Sequence, residues 1–189
     1  LCYHRGDGSI LLFTEKDGEY TAPDGYELKL NRKKIKENMF DFGEGEESYP
    51  VYQYTITDET NVTKTFNYFG MLTSIEDEKG NQTVLTYDDN YNLREITSPA
   101  GTKYEFTTNE EGYITAIQLP NGSTLSYAYD GNGNLISYTD ANGAVTKYEY
   151  DDAHRMTAWY DANGTRIVQN VYDDQGRVTT QTDANGGVS

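Results

Sequence analysis

Residues 144–164 read AVTKYEYDDAHRMTAWYDANG, and this stretch is one copy of the repeat that decides the fold. Two short runs, residues 145–150 and 155–160, are rich in residue types that suit a pleated strand. Each run is followed by a turn-like segment, and residues 161–164 end in an Asn-Gly pair that tolerates the positive φ angles of tight hairpins. The stretch therefore predicts one antiparallel β-hairpin plus the turn that leads to the next.

Glycines mark the period of the repeat. One series recurs every 21 residues, at Gly80, Gly101, Gly122, Gly143 and Gly164. A second series lies between its members, at Gly70, Gly112, Gly133 and, after a slip of one residue, Gly176, with Tyr91 and His154 at positions where this series would otherwise have glycine. A fixed period of about 20 residues is the signature of a repeat architecture. We therefore predict an all-β fold of tandem antiparallel hairpins that form an open, curved and twisted sheet.

Apolar side chains recur in columns that predict a packing face. Residues two apart on the first strand of each repeat, such as Tyr127 and Tyr129, lie on one face of that strand. On the second strand the apolar columns are three apart, as at Leu135 and Tyr138, and strict alternation would place them on opposite faces. We expect a β-bulge or sharp twist there, or burial on both faces.

Composition excludes some classes of protein. The net charge is −16 and the pI is near 4.3, which opposes nucleic-acid binding and suits a solvated, extracellular type of surface. A single cysteine, Cys2, excludes an internal disulfide framework. No run is long and apolar enough to span a membrane. Without an initiating Met or a signal peptide at Leu1, the chain is expected to be a piece of a longer protein.

The chain divides into two regions by regularity. Residues 1–61 predict irregular β-hairpins with a charged loop at about 31–48, and residues 62–189 predict the regular array. Residues 31–38, NRKKIKEN, favour a solvated loop or strand edge with at most one helical turn. Residues 41–48, DFGEGEES, favour an exposed loop and the least ordered part of the chain.

The aspartate-rich turns have two interpretations. Residues 130–134, DGNGN, resemble the start of an EF-hand loop, but Leu135 stands where that loop needs glycine and Ala141 where it needs glutamate. An Asx turn, in which the Asp130 side chain bonds nearby backbone N–H groups, is the favoured interpretation. We therefore predict no metal and no cofactor.

No catalytic constellation is recognisable. His4 and His154 lack metal-ligand spacing, and His154 is expected to fill a turn position with positive φ. Adjacent carboxyl groups at Glu110 and Glu111 fall in a turn and do not predict the facing pair of a glycosidase. The tripeptide at residues 5–7, Arg-Gly-Asp, is too short to carry an assignment. The sequence predicts a protein that is not an enzyme.

The repeat resembles a known family. Residues 129–135, YDGNGNL, followed by DANG at 140–143 and YEYD at 148–151, are similar to the YD repeat of Rhs-type proteins. The resemblance is specific across about 62–186 and looser before it, and it departs at residues 108–109, Tyr91 and His154. It assigns a repeat-defining structural role to Tyr87, Asp88, Gly101, Gly112, Gly122, Tyr129, Asp130, Gly133, Gly143, Tyr150, Asp151, Gly164, Tyr172, Asp173 and Gly176.

The resemblance implies a function. Rhs-type proteins include bacterial polymorphic toxins, insecticidal toxin-complex components, wall-associated proteins and the animal teneurins. Their hairpins wind into a hollow shell, which in the toxins holds a C-terminal effector. The chain would then be a wall segment of a secreted or bacterial cell-surface shell. Its partners would be the rest of the same chain and the effector, with self-association through exposed strand edges, and it would bind no nucleic acid.

An alternative function is a cell-surface carbohydrate-binding or adhesive module. Repeated tyrosines on a β surface, at columns such as Tyr87, Tyr129, Tyr150 and Tyr172, could stack on sugar rings. The other interpretation is that these rings are the packing face of the sheet. A contiguous patch open to solvent would favour binding, and a ladder packed against neighbouring strands would favour structure.

Overall fold

The computed structural model describes residues 1–36 and 50–189, and every regular element in these ranges is a β-strand. The strands are β1 (Cys2–His4), β2 (Ile10–Leu12), β3 (Thr14–Lys16), β4 (Glu19–Thr21), β5 (Lys29–Lys36), β6 (Val51–Thr57), β7 (Thr63–Phe66), β8 (Leu72–Glu76) and β9 (Gln82–Tyr87). They continue with β10 (Leu93–Thr97), β11 (Lys103–Thr108), β12 (Ile114–Gln118), β13 (Thr124–Tyr129), β14 (Leu135–Thr139), β15 (Val145–Tyr150), β16 (Met156–Tyr160), β17 (Arg166–Tyr172) and β18 (Val178–Asp183).

The strand order confirms the predicted fold class. From β5 to β18, the order in the sheet is the order in the chain. The chain contains two compact units: residues Leu1–Tyr87 with Ile96–Thr102, and residues Asp88–Glu95 with Lys103–Ser189. The described part of the chain contains no helix that could cross a membrane.

The first unit has a small hydrophobic core. The hairpins β1–β2 and β3–β4 are separate two-stranded sheets. The buried side chains of Tyr3, Leu11, Phe13, Leu30 and Ile56 form the core, so the first hairpin packs against β5 and β6. Phe66 of β7 packs against this cluster, and its ring meets Tyr3 edge to face at 5.9 Å between centroids. Apolar burial is the main favourable term in holding such a layer in place.

The second unit consists of consecutive hairpins with half-buried aromatic side chains. Tyr127 of β13 is paired with Tyr138 of β14, and their ring centroids are 5.4 Å apart. Tyr148 of β15 is paired with Trp159 of β16 in the same way. Cross-strand aromatic pairs of this kind contribute to the stability of a sheet.

The predicted bulge is present in repeat after repeat. In β13–β14, Tyr129 is opposite Leu135 and Ala128 is opposite Ser137, so Ile136 is an extra residue. In β15–β16, Tyr150 is opposite Met156 and Glu149 is opposite Ala158, so Thr157 is the extra residue. Related shifts occur in β7–β8, β11–β12 and β17–β18. The extra residue converts the odd step between the apolar columns into an even one. Leu135 and Tyr138 therefore face the same side as Tyr129 and Tyr127.

A further bulge accommodates the one-residue slip in the glycine period. In β16–β17, Trp159 is opposite Val168 and Tyr160 is opposite Arg166, which leaves Ile167 as the extra residue. The extra residue is therefore accommodated within the pairing of β16 with β17. The next turn, ending at Gly176, keeps the geometry of its predecessors.

The charged segment differs in part from its prediction. Residues 31–36, for which the sequence favours a loop or strand edge, lie in β5, where Arg32 is opposite Tyr54 and Lys34 is opposite Tyr52. The basic run forms a strand because its backbone pairs along the whole of β6. Residues 37–48, including the expected acidic loop, lie outside the described residues. The boundary at residues 61–62 remains a prediction.

Candidate functional site

The turns of the array share one hydrogen-bond pattern, which residues 130–134 illustrate. The Asp130 N–H donates to the Asn134 carbonyl at 3.0 Å, and the Gly133 N–H donates to the Asp130 carbonyl at 3.1 Å. The Oδ1 atom of Asp130 accepts the N–H groups of Asn132 and Asn134, both at 2.9 Å. Gly133 has φ of +82°, a left-handed conformation that glycine adopts without strain. This is the Asx turn that the sequence favours.

The same side-chain cap recurs at most turns. The first residue accepts N–H groups from the second and fourth residues after it at Asp58, Asn67, Asp77, Asp88, Asp130, Asp140, Asp151, Asp161, Asp173 and Asp183. The left-handed position is glycine at most turns and is Asn61, Tyr91 or His154 at the others, as expected for His154. Among the described residues, no group of three or more His, Cys, Asp or Glu is placed to hold a metal ion.

These hydrogen bonds stabilise the charged form of the aspartates. The Asn134 side chain and then its backbone N–H lower the pKa of Asp130 below its ordinary value. Asn81 lowers the pKa of Asp77 in the same two ways. At Asp173 the main cause of the lowered pKa is the backbone N–H of Arg177. Each carboxylate is therefore a hydrogen-bond acceptor fixed in the turn.

One row of turns in the second unit is linked by side chains. We call residues 88–92, 109–113, 130–134, 151–155 and 173–177 the inner turns. The last residue of one inner turn reaches the left-handed position of the next. A Cβ atom at Gly112 would lie 3.1 Å from Oδ1 of Asn92, and one at Gly133 would lie 2.5 Å from the hydroxyl of Tyr113. A side chain at Gly133 would therefore require Tyr113 to move, and one at Gly112 would require a small shift of Asn92.

Asn134 and His154 form the next link in the row. Asn134 is buried, with 8% of its surface exposed. Its Nδ2 atom donates to Oδ2 of Asp130 at 2.9 Å, which turns its Oδ1 atom toward Nδ1 of His154 at 2.8 Å. Nδ1 of His154 is therefore the donor. A side chain at this left-handed position is tolerated because it gains this bond.

Arg155 forms the last link. Its Nε atom donates to Oδ2 of Asp151 at 2.8 Å, and its Nη1 atom donates to the carbonyl of Asp173 at 3.0 Å. Its guanidinium lies over the ring of Tyr172, 4.8 Å from the centroid. One side chain therefore joins two successive inner turns and the last residue of β17.

The tyrosine columns are tied to the backbone of the sheet. The hydroxyl of Tyr87 donates to the Leu72 carbonyl at 2.7 Å, that of Tyr129 to Ile114 at 2.9 Å and that of Tyr172 to Met156 at 2.7 Å. The side chains of Tyr87, Tyr129, Tyr150 and Tyr172 are all half-buried. Tyr129 also stacks on Tyr113 with centroids 4.9 Å apart. These contacts favour the packing interpretation of the columns.

The structure brings the predicted repeat residues into two sets. Asp88, Asp130, Asp151 and Asp173 cap inner turns, and Gly112, Gly133 and Gly176 have positive φ there. Gly101, Gly122, Gly143 and Gly164 have positive φ in the other row of turns. Their role in defining the repeat remains a prediction.

The linking residues Asn92, Tyr113, Asn134 and Arg155 were not predicted from the sequence. Their chemistry varies from repeat to repeat, so they form no recognisable column. The only sequence signal that could identify these residues is their position in the repeat. Three of them, Asn92, Tyr113 and Asn134, stand 20 residues before the left-handed residue that they contact, and Arg155 stands 21 before.

Comparison with known proteins identifies the repeat. The family model described as RHS Repeat matches residues 66–103, 109–145, 129–166 and 150–188, which together are more than half of the chain. No curated protein sequence matches the chain.

Solved structures share the fold at low sequence identity. The Photorhabdus luminescens Tc holotoxin pore carrying a TccC3 mutation matches 97% of this chain with a TM-score of 0.52 and 12% identity. The crystal structure of TcdB2-TccC3-Cdc42 matches 97% of this chain with a TM-score of 0.50 and 12% identity. The chain covers 12% of each of those chains.

Proposed function

Since the chain belongs to the RHS repeat family, we propose that it is a structural wall segment of a secreted Rhs shell that encloses and delivers a C-terminal toxin or effector. The observation that carries the proposal is the repeated bulged hairpin. In β13–β14 and β15–β16 it places both apolar columns of the strand pair on one face, and the family model matches the same residues. A wall that encloses a cargo needs two faces of different chemistry. The bulge produces this difference because it groups the apolar columns on one face of the sheet.

The lateral links support a role in a continuous wall. A sheet that adds one hairpin after another has exposed edges only at its two ends. The inner turns of the second unit add side-chain bonds between successive repeats, such as Asn134 to His154 and Arg155 to the Asp173 carbonyl. Such bonds fix the distance between neighbouring hairpins along one side. We propose that these bonds help to keep the shape of the wall.

The proposed partners are the rest of the same chain and its effector. One of the matched structures is named a Tc holotoxin pore, and both matched chains are far longer than this chain, so the fold likeness is consistent with a segment of a large shell. Strands β5 and β18 are the two ends of the strand order and are the proposed sites of pairing with neighbouring segments or of self-association. We place the whole protein outside the producing cell or on a bacterial surface.

The enclosure proposal has a direct test. Sequencing the encoding gene beyond these residues is expected to reveal an effector domain downstream. Limited proteolysis of the full-length protein should then leave that domain intact, while the same domain expressed alone is digested. Equal digestion of the domain in both samples, or a gene without such a domain, would refute the enclosing role. Binding of immobilised glycans by the chain, lost on replacing Tyr129 and Tyr150, would favour the adhesive alternative instead.

A further inference from the structure

The turns opposite the inner row carry Asn-Gly pairs. We call residues 119–123, 140–144 and 161–165 of the second unit the outer turns, and their pairs are Asn121–Gly122, Asn142–Gly143 and Asn163–Gly164. The second unit has two more such pairs, Asn132–Gly133 in an inner turn and Asn185–Gly186 in the last turn. All five asparagines are exposed. Glycine has no side chain to shield its nitrogen, and this makes an Asn-Gly pair the dipeptide most open to attack by the backbone on the asparagine side chain.

The chemistry of that attack is self-contained. The backbone nitrogen of the glycine loses its proton and bonds to Cγ of the asparagine, the Cγ–Nδ2 bond breaks, and ammonia leaves. Water then opens the resulting succinimide at either carbonyl, and the product is aspartate or isoaspartate. No oxidant or enzyme is required.

The turn geometry controls the first step. In each outer turn the glycine N–H donates to the carbonyl of the first residue, at 2.9 Å for Gly122, 3.0 Å for Gly143 and 3.0 Å for Gly164. The nitrogen is free to attack only when that bond opens, and local opening in a hairpin turn costs less than global unfolding. This requirement is common to all three turns.

The asparagine side chains differ in how they are held. Oδ1 of Asn121 accepts the N–H of Ser123 at 3.0 Å and its hydroxyl at 2.7 Å, so the carboxamide is locked. Asn163 has one long bond, from Nδ2 to Oδ2 of Asp161 at 3.4 Å. Ala144 stands in the turn of Asn142 where Ser123 stands in the turn of Asn121, and among the described residues the side chain of Asn142 makes no hydrogen bond with another group. The side chains of Asn132 and Asn185 are equally unbound in the described part of the chain.

From these differences we propose that Asn142 is a site of spontaneous deamidation to isoaspartate in the folded protein, and that Ser123 protects Asn121. Isoaspartate adds a carbon to the main chain and a negative charge to the turn. The turn between β14 and β15 would then lose the Gly143–Asp140 bond.

Peptide mapping by mass spectrometry tests the proposal. The folded chain is incubated at mildly alkaline pH, and each deamidation rate is divided by the rate at the same site in urea, which removes the effect of local sequence. We expect this ratio to be several-fold higher at Asn142 than at Asn121, with Asn163 between them. Equal ratios, or a higher ratio at Asn121, would overturn the proposal.

A reciprocal pair of variants separates the hydroxyl from other differences between the turns. Ser123→Ala should raise the rate at Asn121 toward that of Asn142. In the parent, Asp140 already accepts the N–H of residue 144, whereas Leu119 leaves the N–H of Ser123 to Asn121. The reciprocal variant is therefore Asp140→Leu combined with Ala144→Ser, which should lower the rate at Asn142. Ser126→Ala, on the exposed side of β13, is the control and should change neither. Unchanged melting temperatures would show that the variants are folded. Rates unaffected by either reciprocal variant would mean that the side-chain lock has no protective role.

Discussion

Nδ1 of His154 lies 2.8 Å from Oδ1 of Asn134, 20 residues earlier in the chain, and this bond joins two successive turns of the array. His154 has φ of 60°, a conformation that costs a residue with a side chain about 1 kcal/mol or more. The bond to Asn134 offsets part of that cost, since a hydrogen bond of this type contributes about 1 kcal/mol. The two residues therefore depend on each other.

We expect His154→Ala to lower the free energy of unfolding by about 1 kcal/mol, because it loses the bond and keeps the backbone strain. His154→Gly should leave the free energy of unfolding almost unchanged, because it removes both the stabilising hydrogen bond and the destabilising backbone strain. In a double-mutant cycle with Asn134→Ala, the coupling measured by urea denaturation should be at least about 0.5 kcal/mol. Purely additive effects of the two substitutions would show that the contact does not contribute to stability.

A second prediction compares two glycines of nearly equal φ. Gly133→Ala and Gly143→Ala introduce similar strain, at +82° and +84°, of about 1 kcal/mol. A Cβ at Gly133 would also lie 2.5 Å from the Tyr113 hydroxyl, whereas nothing lies within 4 Å of one at Gly143. Tyr113 would have to move and give up its stacking on Tyr129, which adds about 0.5–1.5 kcal/mol at Gly133.

The matched background for this comparison is Tyr113→Ala, which removes the obstructing ring. There, the two glycine substitutions should have the same effect on the midpoint of urea unfolding. A difference that persists without the ring would place its cause elsewhere in the turn.

The repeat itself could be predicted because its signals are local. The Asn-Gly pairs at residues 121–122, 142–143, 163–164 and 185–186 lie at hairpin ends as expected. Each turn closes with bonds among five neighbouring residues, and the residue types that permit those bonds recur at a constant period. The bulge was predictable for a related reason, since an odd step between apolar columns has few other solutions.

The links between turns and the course of residues 31–36 could not be predicted in the same way. Asn134 and His154 are neighbours only because two repeats are aligned side by side, and no local pattern encodes that alignment. The basic run of β5 has weak strand propensity, and pairing with β6 decides its conformation. In both cases the conformation depends on contacts between separate turns or strands, which the local sequence does not encode.

A third prediction concerns the tyrosine hydroxyls. Tyr129→Phe keeps the ring and removes the bond to the Ile114 carbonyl, so it should lower the free energy of unfolding by about 0.5–1.5 kcal/mol. Tyr104→Phe is the control, because the Tyr104 ring is exposed and its hydroxyl bonds no other group in the described part of the chain. Thermal or urea unfolding of both variants measures the difference. Equal stability of the two would mean that the column hydroxyls are not structural.

The last prediction is the acid sensitivity of the turns. Backbone N–H groups, chiefly that of Asn92 at Asp88 and that of Arg177 at Asp173, lower the pKa of these carboxyls in the folded state, as Asn134 does at Asp130. A group with a lowered folded pKa stabilises the fold fully above its unfolded value of about 3.9, and this contribution is lost as the pH falls through the folded value. Stability should therefore decline as the pH drops below about 4 and not between neutral pH and that point.

Asp130→Asn isolates one such group. The amide oxygen can still accept backbone N–H groups, as Oδ1 of Asn109 does from Tyr113 at 2.8 Å, but it does not titrate in this range. The variant should be less stable than the parent near neutral pH, since a charged acceptor makes the stronger bond. The difference in melting temperature should shrink as the pH falls through the folded pKa of Asp130. A difference that is constant across the acid range would show that the charge of Asp130 does not stabilise its turn.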